Sequence, residues 1–151
     1  KKFDSYVTDQ FIKRDTFRKI KIDIENSNED VYTDSKWIVF ILNQIITNSI
    51  KYSKKENAQI NINVIEKKLR VILEVQDNGI GIKNGEITRV FEKGFTGSNG
   101  RKDGKKSTGI GLYLSKKLCG KLGIGIELNS EENKGTSVKL VFPKNDYNLL
   151  V

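Results

Sequence analysis

The hydrophobic positions of this chain follow two periods, which divide it into predicted strands and helices. Strict alternation of apolar and polar residues is typical of a half-buried strand, and a period of three to four residues is typical of a helix with one buried face. Residues 19–25 alternate strictly. The same pattern predicts a hairpin of two strands over residues 58–65 and 69–76. It also predicts the last two strands of the domain, over residues 125–129 and 137–142.

The strongest helical pattern covers residues 35–52, which contain no Pro or Gly. Shorter helices are predicted over residues 7–13, 86–91 and 111–122. Five residues of the long helix form the stripe expected to face a core. They are Ile38, Leu42, Ile45, Ile46 and Ser49.

A polar stripe adjoins that core stripe and contains Gln44, Asn48 and Lys51, followed by Tyr52. Asn is unfavourable inside a helix, because its side chain competes for backbone hydrogen bonds. Its position beside Gln and Lys therefore indicates a ligand-binding stripe. A solvated polar face is the alternative interpretation.

A second candidate site follows the strand over residues 69–76, where Asp77 precedes Gly79, Gly81 and Ile82. A carboxylate at a strand end is a fixed hydrogen-bond acceptor, and glycines allow another group to approach the backbone closely. Asp-Asn-Gly is also common hairpin chemistry. Because no second alternating strand follows directly, the sequence favours a binding loop over a hairpin.

Residues 92–108 contain four glycines and five basic residues but almost no apolar ones. A long irregular segment of this kind is typical of a functional loop, so we predict a basic lid anchored by Phe91 and Phe95. The lid leads into Thr108, Gly109, Ile110, Gly111 and Leu112 at the start of a helix. Glycines in that position expose backbone N–H groups, which bind anions such as phosphates.

Composition narrows the function further. The 151 residues fit one globular domain, and the net charge of +8 raises the question of an anionic partner. The lysines are dispersed and the aromatics are not interleaved with them, so we expect a solvated basic surface and no nucleic acid. The lone cysteine, Cys119, is expected in the core. The sequence contains no histidine, which excludes a histidine nucleophile, base or metal ligand supplied by these residues.

Taken in order, these motifs resemble the ATP-binding catalytic domain of bacterial sensor histidine kinases. The resemblance covers residues 33–143 and rests on residues 48–52, on Asp77-x-Gly79-x-Gly81, on Phe91 with Phe95, and on Gly109-x-Gly111-Leu112. The residues around Asn48 and over 109–119 are similar to those of the antimicrobial-peptide-sensing kinases of Gram-positive bacteria. The resemblance implies the Bergerat (GHKL) α/β fold: a two-layer sandwich with a mixed, largely antiparallel sheet, covered on one face by about three helices.

The resemblance also implies roles for the site residues. Asp77 would accept a hydrogen bond from the adenine amino group, and Gly79 and Gly81 would let the backbone pass close to the base. Asn48 would ligate Mg²⁺, and Lys51 would reach a phosphate. Other residues implied to contact the nucleotide or set the lid are Tyr52, Ile82, Phe91, Phe95, Thr108, Gly109, Ile110, Gly111, Leu112 and Thr136.

Two departures from the family pattern bear on the chemistry. Ser107 stands where many members carry another glycine. Gln44 stands four residues before Asn48, where the ATPase branches and some kinase branches carry a glutamate that activates the nucleophile and many sensor histidine kinases carry asparagine. An amide has no useful basicity near neutral pH, so activation of water would be poor. An imidazole is a better acceptor because it is already nucleophilic.

The implied partners lie outside these residues. The acceptor histidine would sit on a dimerisation hairpin of the full-length chain, which would relay the phosphoryl group to a response regulator. The fragment itself is expected to be monomeric. We expect a linker over residues 1–17, the catalytic domain over 18–146 and a tail over 147–151, on the cytoplasmic side of a membrane sensor. The alternatives are a stand-alone ATPase, a nucleotide-binding regulatory module without phosphotransfer, and a basic nucleic-acid-binding domain.

Overall fold

The computed structural model describes residues 20–24, 35–54, 56–95 and 111–144. The elements in chain order are β1 (Ile20–Ile24), α1 (Ser35–Lys51), β2 (Ala58–Glu66), β3 (Arg70–Asp77), a 3₁₀ helix (Asn84–Arg89), α2 (Gly111–Leu122), β4 (Gly125–Glu131) and β5 (Gly135–Pro143). The predicted elements within these ranges are confirmed, with small shifts at their ends. The predicted helix over residues 7–13, the linker, the C-terminal tail and most of the lid lie outside the described residues.

The strands form one five-stranded sheet in the order β1-β2-β3-β5-β4. β1 runs parallel to β2, whereas the β2–β3, β3–β5 and β4–β5 pairs are antiparallel. Because β4 and β5 follow α2, the chain returns to place β5 beside β3. This mixed, largely antiparallel sheet confirms the predicted fold class.

Both α-helices lie on one face of the sheet, and a single apolar core fills the space between the two layers. Alternate residues of β2, β3 and β5 point to this face and supply the strand side chains of the core. The core consists of Ile41, Leu42, Ile45, Ile46, Ile60, Ile62, Val71, Leu73, Val75, Cys119, Ile124, Val138, Leu140 and Phe142.

The thiol of Cys119 belongs to this core, as the sequence predicted. It is 1% exposed, and burial raises its pKa to about 11. A thiol with so high a pKa is almost entirely protonated near neutral pH, so it acts as a small apolar side chain. Among the described residues, no helix is both long and apolar enough to cross a lipid bilayer.

Candidate functional site

The site is built around Asp77, the last residue of β3. Val71, Leu73 and Val75 point into the core, and the alternation of the strand places the Asp77 side chain next in that row. Asp77 Oδ1 accepts hydrogen bonds from the backbone N–H of Gly79 at 2.9 Å and of Thr136 at 3.2 Å. A third hydrogen bond joins the carboxylate to the side chain of Ser49 on α1. The carboxylate is therefore held in place by three separate segments.

Burial raises the pKa of the Asp77 carboxyl above its usual value. The hydrogen bonds from Gly79, Ser49 and Thr136 favour the ionised form and offset only part of this effect. A carboxylate that has lost much of its water interacts strongly with a ligand that donates a hydrogen bond. Asp77 is thus a fixed acceptor in a partly desolvated position, where a further hydrogen bond from a ligand would be strong.

The glycines after Asp77 pack against the protein's own backbone. A Cβ on Gly79 would collide with the carbonyl oxygen of Tyr52, which also accepts a hydrogen bond from Ile80 N–H at 3.1 Å. Gly81 has φ +70°, and a Cβ there would collide with the carbonyl oxygen of Glu131. These contacts explain the glycines without a ligand, so their approach to an adenine stays a prediction. The loop does not form the hairpin considered from the sequence, because β3 pairs with β2 and β5.

A hydroxyl group that the sequence analysis missed ties this loop to the sheet. Ser130 Oγ on β4 accepts a hydrogen bond from Ile82 N–H at 2.8 Å and lies 2.8 Å from Thr136 Oγ1. The alternation of β4 in the sequence could have indicated this contact, because Ser130 continues the core-facing row of Ile126 and Leu128. A polar residue at the end of such a row usually has a specific partner.

The polar stripe of α1 connects the Asp77 loop to the start of α2. A Cβ on Gly111 would collide with the Gln44 side chain, so Gln44 lies directly against the first residue of α2. Asn48 is half-buried one turn further along, beside Ser49. Lys51 Nζ lies 5.4 Å from the centre of the Tyr52 ring. The stripe thus runs from the N-terminus of α2 to the loop that contains Gly79.

The predicted lid anchors lie beside cations. Phe91 and Phe95 are both half-buried. Lys116 Nζ is 5.1 Å from the centre of the Phe91 ring, and Arg89 Cζ is 4.4 Å from that of Phe95. The Phe91 contact joins the start of the predicted lid to α2. Leu112 is half-buried in the first turn of α2, whereas Thr108, Gly109 and Ile110 lie outside the described residues.

The donor set fits a nucleotide with a hydrated magnesium ion. No group of three or more Asp, Glu or Cys side chains in the described part of the chain could hold a metal by itself. Mg²⁺ commonly keeps several waters and is held by one or two protein oxygens together with substrate phosphates. An amide such as that of Asn48 suits this arrangement. Asp77 offers a fixed hydrogen-bond acceptor, which suits a base that carries an amino group.

Comparison with known proteins decides the family. Residues 33–146 match the family of histidine kinase-, DNA gyrase B- and HSP90-like ATPases. The chain belongs to this ATPase family. Membership confirms the predicted resemblance and makes the chain an ATP-binding domain.

The relatives of this ATPase domain are sensor kinases. Over 115 residues, 76% of the chain, it is 41% identical to the sensor histidine kinase YxdK of Bacillus subtilis. It is also 41% identical over 122 residues to the sensor protein kinase GraS of Staphylococcus aureus, covering 81% of the chain. These matches cover 35% and 34% of the relatives, so the chain spans about a third of their length. They confirm the predicted resemblance to sensor kinases of Gram-positive bacteria.

A solved structure supports the fold independently. The catalytic domain of the histidine kinase ThkA, in a nucleotide-free form, superimposes with a TM-score of 0.76 at 25% sequence identity. The superposition covers 93% of this chain and 90% of that domain. The predicted GHKL architecture is therefore confirmed, whereas the roles of individual site residues stay predictions.

Proposed function

We propose that this ATPase domain is the catalytic domain of a sensor histidine kinase, which binds Mg-ATP and transfers the γ-phosphoryl group to a histidine located elsewhere. The observation that carries the proposal is the position of α1. Its Ser49 bonds to Asp77, while its Gln44 lies against Gly111. Helix α1 therefore reaches from Asp77, the proposed acceptor for the base, to the start of α2, the proposed binding site for the phosphates.

Asp77 would recognise the base. Its carboxylate accepts a hydrogen bond from the adenine amino group, whereas the keto oxygen of guanine would face another acceptor. The three hydrogen bonds that fix Asp77 reduce the reorganisation needed on binding. We therefore expect ATP and ADP to bind far more tightly than GTP.

Asn48, Lys51 and the start of α2 would act on the phosphates. Asn48 would hold Mg²⁺, which when bound neutralises charge on the phosphates. Lys51 would add a positive charge, and the N–H groups at the start of α2 would donate to phosphate oxygens. A nitrogen of the acceptor imidazole would attack the γ-phosphorus while the bond to the β–γ bridging oxygen breaks, so that ADP leaves and the phosphorylated ring loses its remaining N–H proton to solvent.

Gln44 favours a histidine acceptor over water. Its amide cannot remove a proton from water, and it lies against Gly111. The sequence contains no histidine, so the acceptor must come from outside these residues. By analogy with the sensor kinases, we propose a dimerisation hairpin as acceptor, a response regulator as the next partner, and a cytoplasmic position within a membrane sensor.

The function is tested by phosphotransfer from ATP to an added histidine-bearing hairpin. Asn48→Asp should reduce transfer at least about 10–100-fold, because a changed ligand disturbs the metal–phosphate arrangement. Asn43→Asp is the matched control, since Asn43 is exposed on the same helix and receives the same chemical change. Unchanged transfer in Asn48→Asp would remove Asn48 from the site. Absence of transfer in the parent, with ATP bound, would favour a regulatory module.

A further inference from the structure

Ser130 Oγ lies at the meeting point of three groups near Asp77. It accepts from Ile82 N–H at 2.8 Å, lies 2.9 Å from the carbonyl oxygen of Gly135, and lies 2.8 Å from Thr136 Oγ1. The first contact comes from the loop that follows Asp77, and the other two come from β5. Ser130 therefore joins three segments that border the proposed base-binding end.

One assignment of the protons makes all three contacts of Ser130 hydrogen bonds. A serine hydroxyl has one proton and two lone pairs. The carbonyl oxygen of Gly135 can only accept, so its hydrogen bond with Ser130 at 2.9 Å uses the single Ser130 proton. Ile82 N–H can only donate, so it occupies one lone pair of Ser130. The contact at 2.8 Å with Thr136 is then a hydrogen bond only if the Thr136 hydroxyl donates its proton to the remaining lone pair of Ser130.

This arrangement changes what Thr136 offers to a ligand. Its only hydroxyl proton is directed to Ser130, so Thr136 Oγ1 retains lone pairs alone. Asp77 and Thr136 are paired across β3 and β5, and Thr136 N–H donates to Asp77 Oδ1 at 3.2 Å. Two acceptors, the Asp77 carboxylate and the Thr136 hydroxyl, therefore stand side by side at the end of the sheet.

We propose that Ser130 is a positioning residue for nucleotide specificity, because it directs the Thr136 proton away from the ligand and turns Asp77 and Thr136 into a pair of acceptors. The inference rests on the proposed function, in which this end binds the base. The two protons of an exocyclic amino group, as in adenine, can donate to the two acceptors of this pair, directly or through water. A keto oxygen in place of that amino group would face two acceptors, and each contact would be unfavourable.

Replacing Ser130 by Ala tests the inference, because it frees the Thr136 proton to donate to a keto oxygen. By calorimetry with Mg-ATP and Mg-GTP, we expect the ratio of the two affinities to fall about tenfold, which is the typical effect of one hydrogen bond. Part of that fall should be a gain in GTP affinity. The conservative Ser130→Thr variant keeps the hydroxyl and should retain the ratio of the parent.

Further variants separate this role from a structural one. If Ser130 served only to hold Ile82, its loss would lower the affinities for ATP and GTP equally. An unchanged ratio of the two affinities in Ser130→Ala would therefore overturn the inference. Adding Thr136→Val to Ser130→Ala removes the freed donor and should abolish the gain in GTP affinity. If the gain persists in the double variant, the Thr136 hydroxyl is not responsible. Should the parent protein bind no ATP at all, it is the proposed function that fails.

Discussion

The two ends of the proposed nucleotide site are closed by different parts of the protein. At the base end, Gly79 and Gly81 face the backbone carbonyls of Tyr52 and Glu131. At the phosphate end, the atoms nearest to a Cβ on Gly111 belong to the side chain of Gln44. A carbonyl of the packed backbone cannot move away without shifting the chain, whereas a glutamine side chain can change rotamer. The base end is therefore rigid, and the phosphate end has a contact that can adjust.

This difference fits the tasks proposed for each end. Selecting adenine requires acceptors in fixed positions, which Asp77 and Thr136 obtain from backbone hydrogen bonds. Binding and releasing phosphates requires surfaces that open and close. The Gln44–Gly111 contact is one that a rotamer change of Gln44 could alter.

The largest effect is expected from Gly81→Ala, at the base end. Alanine would be strained at φ +70° and would collide with the backbone of Glu131, so we expect a loss of about 3 kcal/mol in the free energy of unfolding. Gly85→Ala is the matched control, because a Cβ there meets no atom within 4 Å. Chemical denaturation measures both variants. Equal stability of the two would show that the base end is not rigid.

Asp77→Asn should separate recognition from stability. Asparagine retains an oxygen that can accept from Gly79 and Thr136, so we expect the fold to survive with a change below about 1 kcal/mol. Its NH₂ group would face the adenine amino group, and ATP affinity should fall about 10–100-fold, the usual effect of losing a hydrogen bond to a charged group. Calorimetry with ATP and GTP checks this. Parent-like affinity for both nucleotides would mean that the base binds elsewhere.

The raised pKa of Asp77 predicts opposite pH dependences for folding and binding. Folding favours the protonated carboxyl, so the contribution of Asp77 to stability is present below its unfolded pKa and is lost as the pH rises through the raised folded pKa. ATP binding needs the carboxylate, so affinity should fall as the pH is lowered through that same folded pKa. Titrations from neutral pH down to the ordinary Asp pKa of about 3.9 would measure the change. The Asp77→Asn variant should lack the part of both pH dependences that comes from this carboxyl. Identical pH profiles of the parent and the variant would contradict the proposal that Asp77 binds the base.

The smallest effect is expected from Gly111→Ala, at the phosphate end. The added methyl group displaces only the Gln44 side chain, so we expect a cost of about 1 kcal/mol. In a Gln44→Ala background that cost should vanish, which gives a coupling energy of about 1 kcal/mol between the two sites. Thermal denaturation of the parent, the two single variants and the double variant measures this double-mutant cycle. Additive effects would show that the Gln44 side chain does not occupy that space.

The sequence allowed the framework to be predicted because its signals are local. Alternation located all five strands, and the motif order identified the family. The predicted stripe of α1 nevertheless omitted Ile41, which is fully buried. A helix packed against both a sheet and α2 buries a wider face than a single stripe, so periodicity alone underestimated its core contacts.

The links within the site could not be predicted in the same way. Ser49 was expected only to face the core, yet its hydroxyl bonds to Asp77, 28 positions further along the chain. Ser130 contacts Ile82 across 48 positions. Such contacts depend on the order in which strands join the sheet. Local periodicity carries no information about that order.

The most direct test of a single site that spans both ends is an NMR titration of the ¹⁵N-labelled protein with Mg-ATP. The amide signals of Gly79 and Thr136 at the base end, and of Gly111 at the phosphate end, should all shift with one common dissociation constant. Shifts confined to one end, or different constants at the two ends, would contradict the account.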